Sequence, residues 1–391
     1  MIESARRSGH RASGSSVAGL ALLALAVGVW GFVAPSVSSA ATTTKPPAIK
    51  HVFLINLENK SFDETWGASS PAPYLSQTLV AKGQFLSQYF AIGHVSLDNY
   101  IAQISGQGPN KQTQLDCSTY TDFVSTGMGA LGQVLGDGCV YPTSVKTIAD
   151  QLTAKKLTWK GYMEDMGNSP TEPKTCRHPE IGAKDTTLVA KADDGYATRH
   201  NPFVYFHSII DSPICNTNVV PLDRFEADLA SVKTTPNFSM ITPNLCNDGH
   251  DATCPGGILG GLVASNAWLE QWVPKILASP AFKKDGLLIV TFDEAEFIGA
   301  SADATSCCNA PKPPNVENAS AIPPGPGGGR VGAVLVSPFI KPGSTNDTPY
   351  NHYGLLCSME DVFGLKHLGY AGQPGLTCFG ADVYKKASTK K

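Results

Sequence analysis

The stretch HVFLINLENKSFDETWG, His51–Gly67, decides the fold. Val52, Phe53, Leu54, Ile55 and Leu57 form a near-continuous apolar run. A short run without polar alternation fits a strand buried on both faces, as in a parallel sheet covered by helices. Directly behind it come Glu58, Asn59 and Lys60, then Ser61, Phe62 and Asp63. In open α/β sheets, ligands bind at the carboxyl ends of the strands. An acid beside an amide there can supply hard oxygen ligands to a divalent metal. The plainer alternative makes Ser61 or Asp63 a helix cap and Glu58 a solvated loop residue.

Outward from this stretch, strands and helices alternate. Strands are expected at Gln84–Ile92, Thr158–Met166, Asn237–Thr242, Gly286–Phe292 and Val331–Phe339. Helices are expected at Tyr74–Ala81, Val145–Lys156, Leu222–Leu229, Ala264–Leu277 and His352–Leu365, and the segment from His94 to the Gly106-Gln107-Gly108 cluster turns into a further helix. Alternation over this length means α/β with a central, mostly parallel sheet and helices on both faces. Residues 109–145, rich in Gly, Ser and Thr, are an excursion that a Cys117–Cys139 bridge would pin. Residues 299–329, Pro-rich and ending in Gly327-Gly328-Gly329, are a surface loop. No internal repeat and no second domain is evident.

Four clusters follow predicted strands or loops: Glu58-Asn59, Asp248/His250/Asp251, Asp293-Glu294 and His352. Strand ends of one sheet converge on one crevice, and acids with a few imidazoles suit divalent metals. Any one cluster alone is more simply a cap or a surface ion pair. A further element is His94-Val95-Ser96-Leu97-Asp98-Asn99-Tyr100, with Ser96 at the turn into a helix. There a hydroxyl can face the crevice while helix N-terminal amides face an anion. A free serine is a poor nucleophile, and metal coordination can activate it. The alternative is that Ser96 is an N-cap. The absence of a Gly-x-Ser-x-Gly elbow argues against an ordinary serine esterase.

The chain of 391 residues is 42% hydrophobic and 16% charged, enough for a large core. Its formal net charge of −3 argues against a nucleic-acid partner held through phosphate contacts. Residues 1–40 read as a signal peptide: Arg6, Arg7 and Arg11, an apolar Val17–Val33, then Ser38-Ser39-Ala40 as the cleavage site. An uncleaved membrane anchor is the alternative. Cleavage near Ala40 would remove three Arg and one Glu and leave a net −5. Residues 41–48 are a polar linker, and 49–385 the catalytic domain. All ten cysteines lie beyond the leader, which implies disulfides in an oxidising compartment and a secreted protein. Adjacent Cys307 and Cys308 are expected to pair with different partners. No Cys-x-x-Cys supports a zinc-thiolate cluster.

Taken in order, Glu58–Asp63, His94-x-Ser96-x-x-Asn99-Tyr100, Thr242-Pro243-Asn244, Asn247-Asp248-x-His250-Asp251, Thr291-Phe292-Asp293-Glu294, Val336-Ser337-Pro338 and His352 ahead of Glu360-Asp361-x-Phe363-Gly364-Leu365 resemble one family. It is the bacterial and fungal phosphoesterase family of secreted acid phosphatases and phosphatidylcholine-type phospholipases C, in the alkaline-phosphatase-like superfamily. The resemblance covers roughly residues 48–372, and the pattern is most similar to secreted mycobacterial-type acid phosphatases acting on phosphoinositides. It implies an alkaline-phosphatase-like fold and a secreted, metal-dependent hydrolysis of phosphomonoesters through a phosphoserine. Ser96 matches the nucleophile, and Asn99 would hold a phosphoryl oxygen. Glu58, Asn59, Asp293 and Glu294, with Ser96, would enclose one divalent metal; Asp248, His250, Asp251 and His352 could bind a second or the phosphate. His94, His200 and Lys60 would contact phosphate or leaving group, with structural histidines as the alternative for the first two.

Lys60 stands where the family often has Arg, Val95 and Asp98 where it often has Pro, Gly249 where it has Met, and Ala295 where a further acid is common. These departures bear on the number of metals more than on the reaction. The implied partner is a phosphate ester, extending to a phospholipid at a membrane surface. The runner-up is a phospholipase C; such enzymes are usually larger, with additional C-terminal domains, whereas this sequence ends at Lys391. A secreted binding protein that kept the fold and lost the chemistry is the alternative from another class.

Overall fold

The computed structural model describes residues 45–250 and 253–385. The expected leader and the first linker residues fall outside that range, as does Asp251. The described residues belong to one unit, Thr43–Lys391.

His51–Leu57 is the strand the sequence predicts, buried at all seven positions. We call it β1. The other strands of the main sheet are β2 (Gln84–Leu86), β3 (Trp159–Met163), β4 (Val219–Pro221), β5 (Phe238–Thr242), β6 (Gly286–Phe292), β7 (Ala333–Val336) and β8 (Ser344–Asn346). Their order is β8-β2-β7-β6-β1-β5-β3-β4. Only β7 runs against the rest; the other neighbouring pairs are parallel. The mostly parallel α/β sheet is therefore present, with β1 flanked by β6 and β5 near its centre.

Alternation along β1 assigns the helices to faces. Asn56 accepts a hydrogen bond from Gln103 Nε2 at 3.1 Å, so helix α1 (Ser96–Ser105) covers the Val52, Leu54 and Asn56 face. On the other face, the Phe53 ring meets Phe225 and Phe282, and Phe225 meets Trp272 of α2 (Gly261–Ala278). Helix α3 (His352–Phe363) packs on α1. Every residue of α1 is buried. It stops at Gly106, whose φ of 68° is left-handed. A Cβ at Gly106 would lie 2.2 Å from the Leu368 carbonyl oxygen, so only glycine fits that crossing.

Two expected elements differ. Gln84–Ile92 does not continue as one strand, because the chain turns at Ser87 and pairs Tyr89–Phe90 with Tyr350–Asn351 instead. That detour delivers the chain to His94 and Ser96. Within residues 109–145 lies a hairpin of Val124–Met128 and Val134–Asp137.

The cysteines pair as Cys117–Cys139, Cys176–Cys215, Cys246–Cys254, Cys307–Cys308 and Cys357–Cys378. The expectation of separate partners for Cys307 and Cys308 is corrected: they bridge each other. Both lie in a loop whose neighbouring segments hold no other free cysteine, since the other eight are already paired.

Leu54 is fully buried at the centre of the sheet under α1. Leu54→Ala is expected to lower stability by about 2–5 kcal/mol. Chemical denaturation would show this as a lower midpoint at unchanged slope.

Candidate active site

Register builds the site. Leu57 of β1 lies opposite Phe292 of β6, so the next residues, Glu58 and Asp293, leave the sheet side by side. Asp293 N–H donates to the Leu57 carbonyl at 2.9 Å, and Glu58 N–H to the Asp248 carbonyl at 2.9 Å. The loop after β5 is thereby tied to the same rim. Asn59 follows in a left-handed conformation (φ 39°), which asparagine tolerates. Its N–H then reaches Asp293 Oδ1 at 3.1 Å and its Nδ2 reaches Glu294 Oε1 at 3.2 Å.

Ser96 is the first residue of α1. Val95, in extended conformation, is the N-cap, so Ser96 is not a capping side chain. Its hydroxyl donates to Glu58 Oε2 at 2.8 Å, and it stands beside Asp293. Tyr100, one turn along the same helix face, donates to Glu58 Oε1. His200 places Nε2 3.3 Å from Glu58 Oε2 and Nδ1 3.7 Å from Asp248 Oδ2. Its ring stacks on Tyr100 at 5.4 Å. Neither ring nitrogen of His200 has a hydrogen-bond partner among the described residues, nor has Asp293 Oδ2 or Asn59 Oδ1. His250 lies within electrostatic reach of His200, and its N–H donates to Asp248 Oδ1 at 2.9 Å.

Other expected site residues are present but turned to different tasks. Asn99 accepts from the N–H groups of Ile92 (3.0 Å) and Gly93 (3.2 Å) and donates to the Gly93 carbonyl (2.8 Å), so its amide shapes the turn before Ser96 and does not face a phosphoryl oxygen. Lys60 pairs with Glu296 and donates to the Asn59 carbonyl at 2.9 Å, away from the rim. His94 holds Glu294 through Nδ1 and the Asp303 carbonyl through Nε2 at 2.9 Å. His352 commits both ring nitrogens to the protein. Nδ1 accepts from Tyr89 (2.9 Å) and Gln103 (3.2 Å), and Nε2 donates to the Asp293 carbonyl at 2.6 Å, so it braces Asp293 from beneath.

Glu58, Asp248, Asp293 and Glu294 are all fully buried. Burial, then the charges of Asp293 and Asp248, raises the Glu58 carboxyl. Burial pushes Asp293 up to about 7. Burial, then the Asp293 charge, lifts Glu294, and burial lowers His94. Burial, with Arg199 and His250 nearby, depresses His200 well below the usual imidazole range, leaving it neutral. Burial also lowers His352, to about 4.

Tyr100, Gln103 and Arg199 were given no role from the sequence, although Tyr100 closes the His94–Tyr100 motif. Tyr100 and Gln103 follow Ser96 at four and seven residues, the spacing of one helix face, which is a signal the sequence does carry. Arg199 has only its place beside His200.

A model of the phosphoesterase family matches residues 69–366. The chain belongs to that family. Relatives include a probable acid phosphatase of Kluyveromyces lactis, 26% identical over 86% of this chain and 63% of that protein. A phosphate-repressible acid phosphatase of Penicillium chrysogenum is 28% identical over 74% and 54%. This chain thus spans little more than half to under two thirds of these fungal proteins. A phosphatidylinositol-3-phosphatase of Mycobacterium tuberculosis is 26% identical over 90% of this chain and 89% of that one. Among solved structures, an alkaline phosphatase superfamily protein from Vibrio parahaemolyticus aligns over 85% of this chain and 72% of its own, at 13% identity and a TM-score of 0.47.

The raised Asp293 carboxyl gives a pH prediction. Between pH 3.8 and about 7 the native state keeps a proton that the unfolded chain has released. Asp293's own contribution to stability should therefore fall as pH rises through this window, while the depressed His200 and His352 act in the opposite sense. Thermal unfolding of the chelated wild type and Asp293→Asn at pH 5 and pH 7.5 checks it, with the wild type losing stability relative to the variant at the higher pH.

Proposed function

We propose that this family member hydrolyses phosphate monoesters, with Ser96 as nucleophile and a phosphoserine intermediate. One observation carries the proposal. The Ser96 hydroxyl sits at the N-terminus of a buried ten-residue helix, hydrogen-bonded to Glu58 and beside Asp293.

The residues fit a divalent cation. Asp293 Oδ2 and Asn59 Oδ1 are buried oxygens without hydrogen-bond donors, next to Glu58 and Ser96. Burying carboxylates without compensating charge costs several kcal/mol each, and all-oxygen donors suit a hard cation. Glu58, Asn59, Ser96 and Asp293 would hold it, with Asp248 and His200 at the edge. When bound, the cation would make the serine hydroxyl more acidic and offset phosphoryl charge.

The chain's own groups do the following. Glu58 Oε2 draws the Ser96 proton and leaves an oxygen lone pair for phosphorus. The new Ser96–phosphorus bond forms as the ester oxygen–phosphorus bond breaks. Neutral His200, whose Nε2 lies 3.3 Å from Glu58 Oε2, is placed to accept that proton and release its other N–H to the departing alkoxide, and the reverse exchange takes a proton from the attacking water. Water attack breaks the serine–phosphorus bond and restores the hydroxyl. The helix N-terminus favours the anionic group at Ser96. Such positioning and charge stabilisation carry most of phosphoryl transfer.

A finer substrate reading has its own support. Exposed apolar residues lie on segments touching site residues: Leu188 and Val189 where Arg199 holds the Leu188 carbonyl, and Ile298 beside Phe297, whose ring meets His94. Ile258 and Leu259 are exposed on the loop after Asp248. An apolar rim suits an amphiphilic substrate such as a phosphoinositide. Phospholipase C action on a phosphodiester remains the runner-up. Five disulfides support export after cleavage near Ala40. No helix among the described residues is long and apolar enough to cross a membrane.

The test is phosphate release by the exported form across soluble monoesters, vesicle-borne phosphoinositide and phosphatidylcholine, before and after chelation. Monoester turnover that returns with a divalent cation is expected. Ser96→Ala should lower it by about 10²–10⁴-fold. Near-normal turnover by that variant overturns the mechanism, and no release with any divalent ion favours a binding protein.

A further inference from the structure

The helix carrying Ser96 lacks a capping side chain of its own, because Val95 occupies the N-cap. The missing acceptor comes from the excursion after α1. Asp116 Oδ1 accepts from Leu97 N–H at 3.0 Å. The other oxygen, Oδ2, lies 3.4 Å from Arg199 Nε. Arg199 is itself largely buried, its side chain 9% exposed, and Nη1 donates to the Leu188 carbonyl at 3.2 Å. Nη2 takes no part in these contacts. The guanidinium charge acts on both Glu58 and Asp248, so Arg199 lies within electrostatic reach of the site where His200 leaves two buried nitrogens without hydrogen bonds among the described residues.

What holds Asp116 there is unusual for its sequence. Asp116 and Cys117 both have left-handed backbone, with φ of 51° and 50°. Non-glycine residues keep that conformation only when their surroundings impose it. Asp116 N–H to the Thr113 carbonyl (3.1 Å) and Cys117 N–H to the Gln112 carbonyl (2.9 Å) close the turn, and Cys117 is bridged to Cys139 across 22 residues. Tyr120 N–H donating to the Ala183 carbonyl at 2.8 Å secures the exit from the turn.

We propose that Asp116 is a positioning residue of the active site. Fixed by the Cys117–Cys139 bridge, it holds the first turn of the Ser96 helix with one oxygen and aims the Arg199 guanidinium at the incoming phosphoryl group with the other. The inference rests on the phosphoric-ester reading above, and it adds Arg199 as the residue that binds the anion. A guanidinium suits this task because it stays charged and donates in a fixed fork. A purely structural cap would secure Leu97 alone and leave affinity for an anion unchanged.

The experiment compares Asp116→Asn, Asp116→Ala, Arg199→Gln, the double variant D116N/R199Q and the bridge variant C117S/C139S in the full exported chain. Each is measured for kcat, KM, competitive inhibition by inorganic phosphate, and direct phosphate binding by calorimetry. Arg199→Gln should weaken phosphate about 10- to 100-fold, the range for one charge-assisted contact. Asp116→Asn keeps an acceptor for Leu97 but loses the charge facing Arg199. It should weaken phosphate and raise KM by a smaller factor, with kcat less affected. Asp116→Ala removes both contacts and should lower kcat as well, and C117S/C139S should follow it.

D116N/R199Q should be no worse for phosphate than Arg199→Gln alone, because the two residues act as one unit. Folded Asp116 variants with wild-type phosphate affinity, or fully additive losses in the double variant, overturn the inference. Where Asp116→Ala fails to fold, the near-isosteric Asp116→Asn and the double variant decide. The two readings separate cleanly. Phosphate binding that depends on Asp116 and Arg199 without turnover of any ester overturns the hydrolase reading alone. Turnover untouched by these variants overturns this inference alone.

Discussion

Like charge forced together at one end of the sheet is the constraint on which the rest depends. The pairing of Leu57 with Phe292 leaves no freedom over where Glu58 and Asp293 emerge, and Glu58 N–H fastens the Asp248 loop beside them. Two unit charges 4 Å apart repel by about 4 kcal/mol even at an effective dielectric of 20. Domain stability is only about 5–15 kcal/mol in total. Four fully buried carboxyls therefore cannot all stay ionised without an opposing charge. The fold admits two remedies, a proton or a cation. The raised carboxyls of Glu58, Asp293 and Glu294 express the first. Asp293 Oδ2 and Asn59 Oδ1, which accept no hydrogen bond from the described residues, leave room for the second.

The surrounding polar groups divide along the same line. One set satisfies and fixes carboxylate oxygens: Tyr100 on Glu58, Asn59 on Asp293 and Glu294, and His94 on Glu294. His352, backed by Tyr89 and Gln103, holds the Asp293 backbone. The other set keeps its reactive atoms uncommitted, as His200 does. A side chain whose donors and acceptors are all taken by the protein can orient a neighbour, whereas one left open can meet a ligand. By that criterion Asn99 and His352 belong to the frame, and His200 is open to a ligand.

Much of this frame was legible before coordinates. The apolar runs at His51–Leu57 and Gly286–Phe292 are long, unbroken and doubly buried, so pattern and structure coincide there. Acids directly after such strands had to reach one rim. What could not be read is which way each side chain turns after the strand ends. Lys60 follows Glu58 and Asn59 closely, yet a left-handed Asn59 swings it toward Glu296. Asn99 looks outward on a motif basis, but the sharp Ile92–Val95 turn needs its amide. Asp116 lies in a segment with no motif, and its role depends on a disulfide and a backbone twist with no sequence period. The pairing of Cys307 with Cys308 was likewise set by loop packing that spacing does not encode.

The disulfides answer a problem the sheet creates. A rim site draws its side chains from long connections, and ordering a residue's backbone costs roughly 1–2 kcal/mol. Those connections are rich in Gly, Ser, Thr and Pro, and aromatic side chains such as Tyr120, Phe203 and Phe206 anchor them in the core. Bridges lie in the same connections as the site residues. Cys117–Cys139 starts next to Asp116, Cys176–Cys215 spans Arg199 and His200, and Cys246–Cys254 spans Asp248 and His250. Closing such loops covalently removes unfolded-state freedom in addition to what that burial offsets. Cys357–Cys378 instead ties α3 to the segment that follows it. The sheet thus sets where the charges meet, and covalent closure of the loops keeps the remaining groups within reach of them.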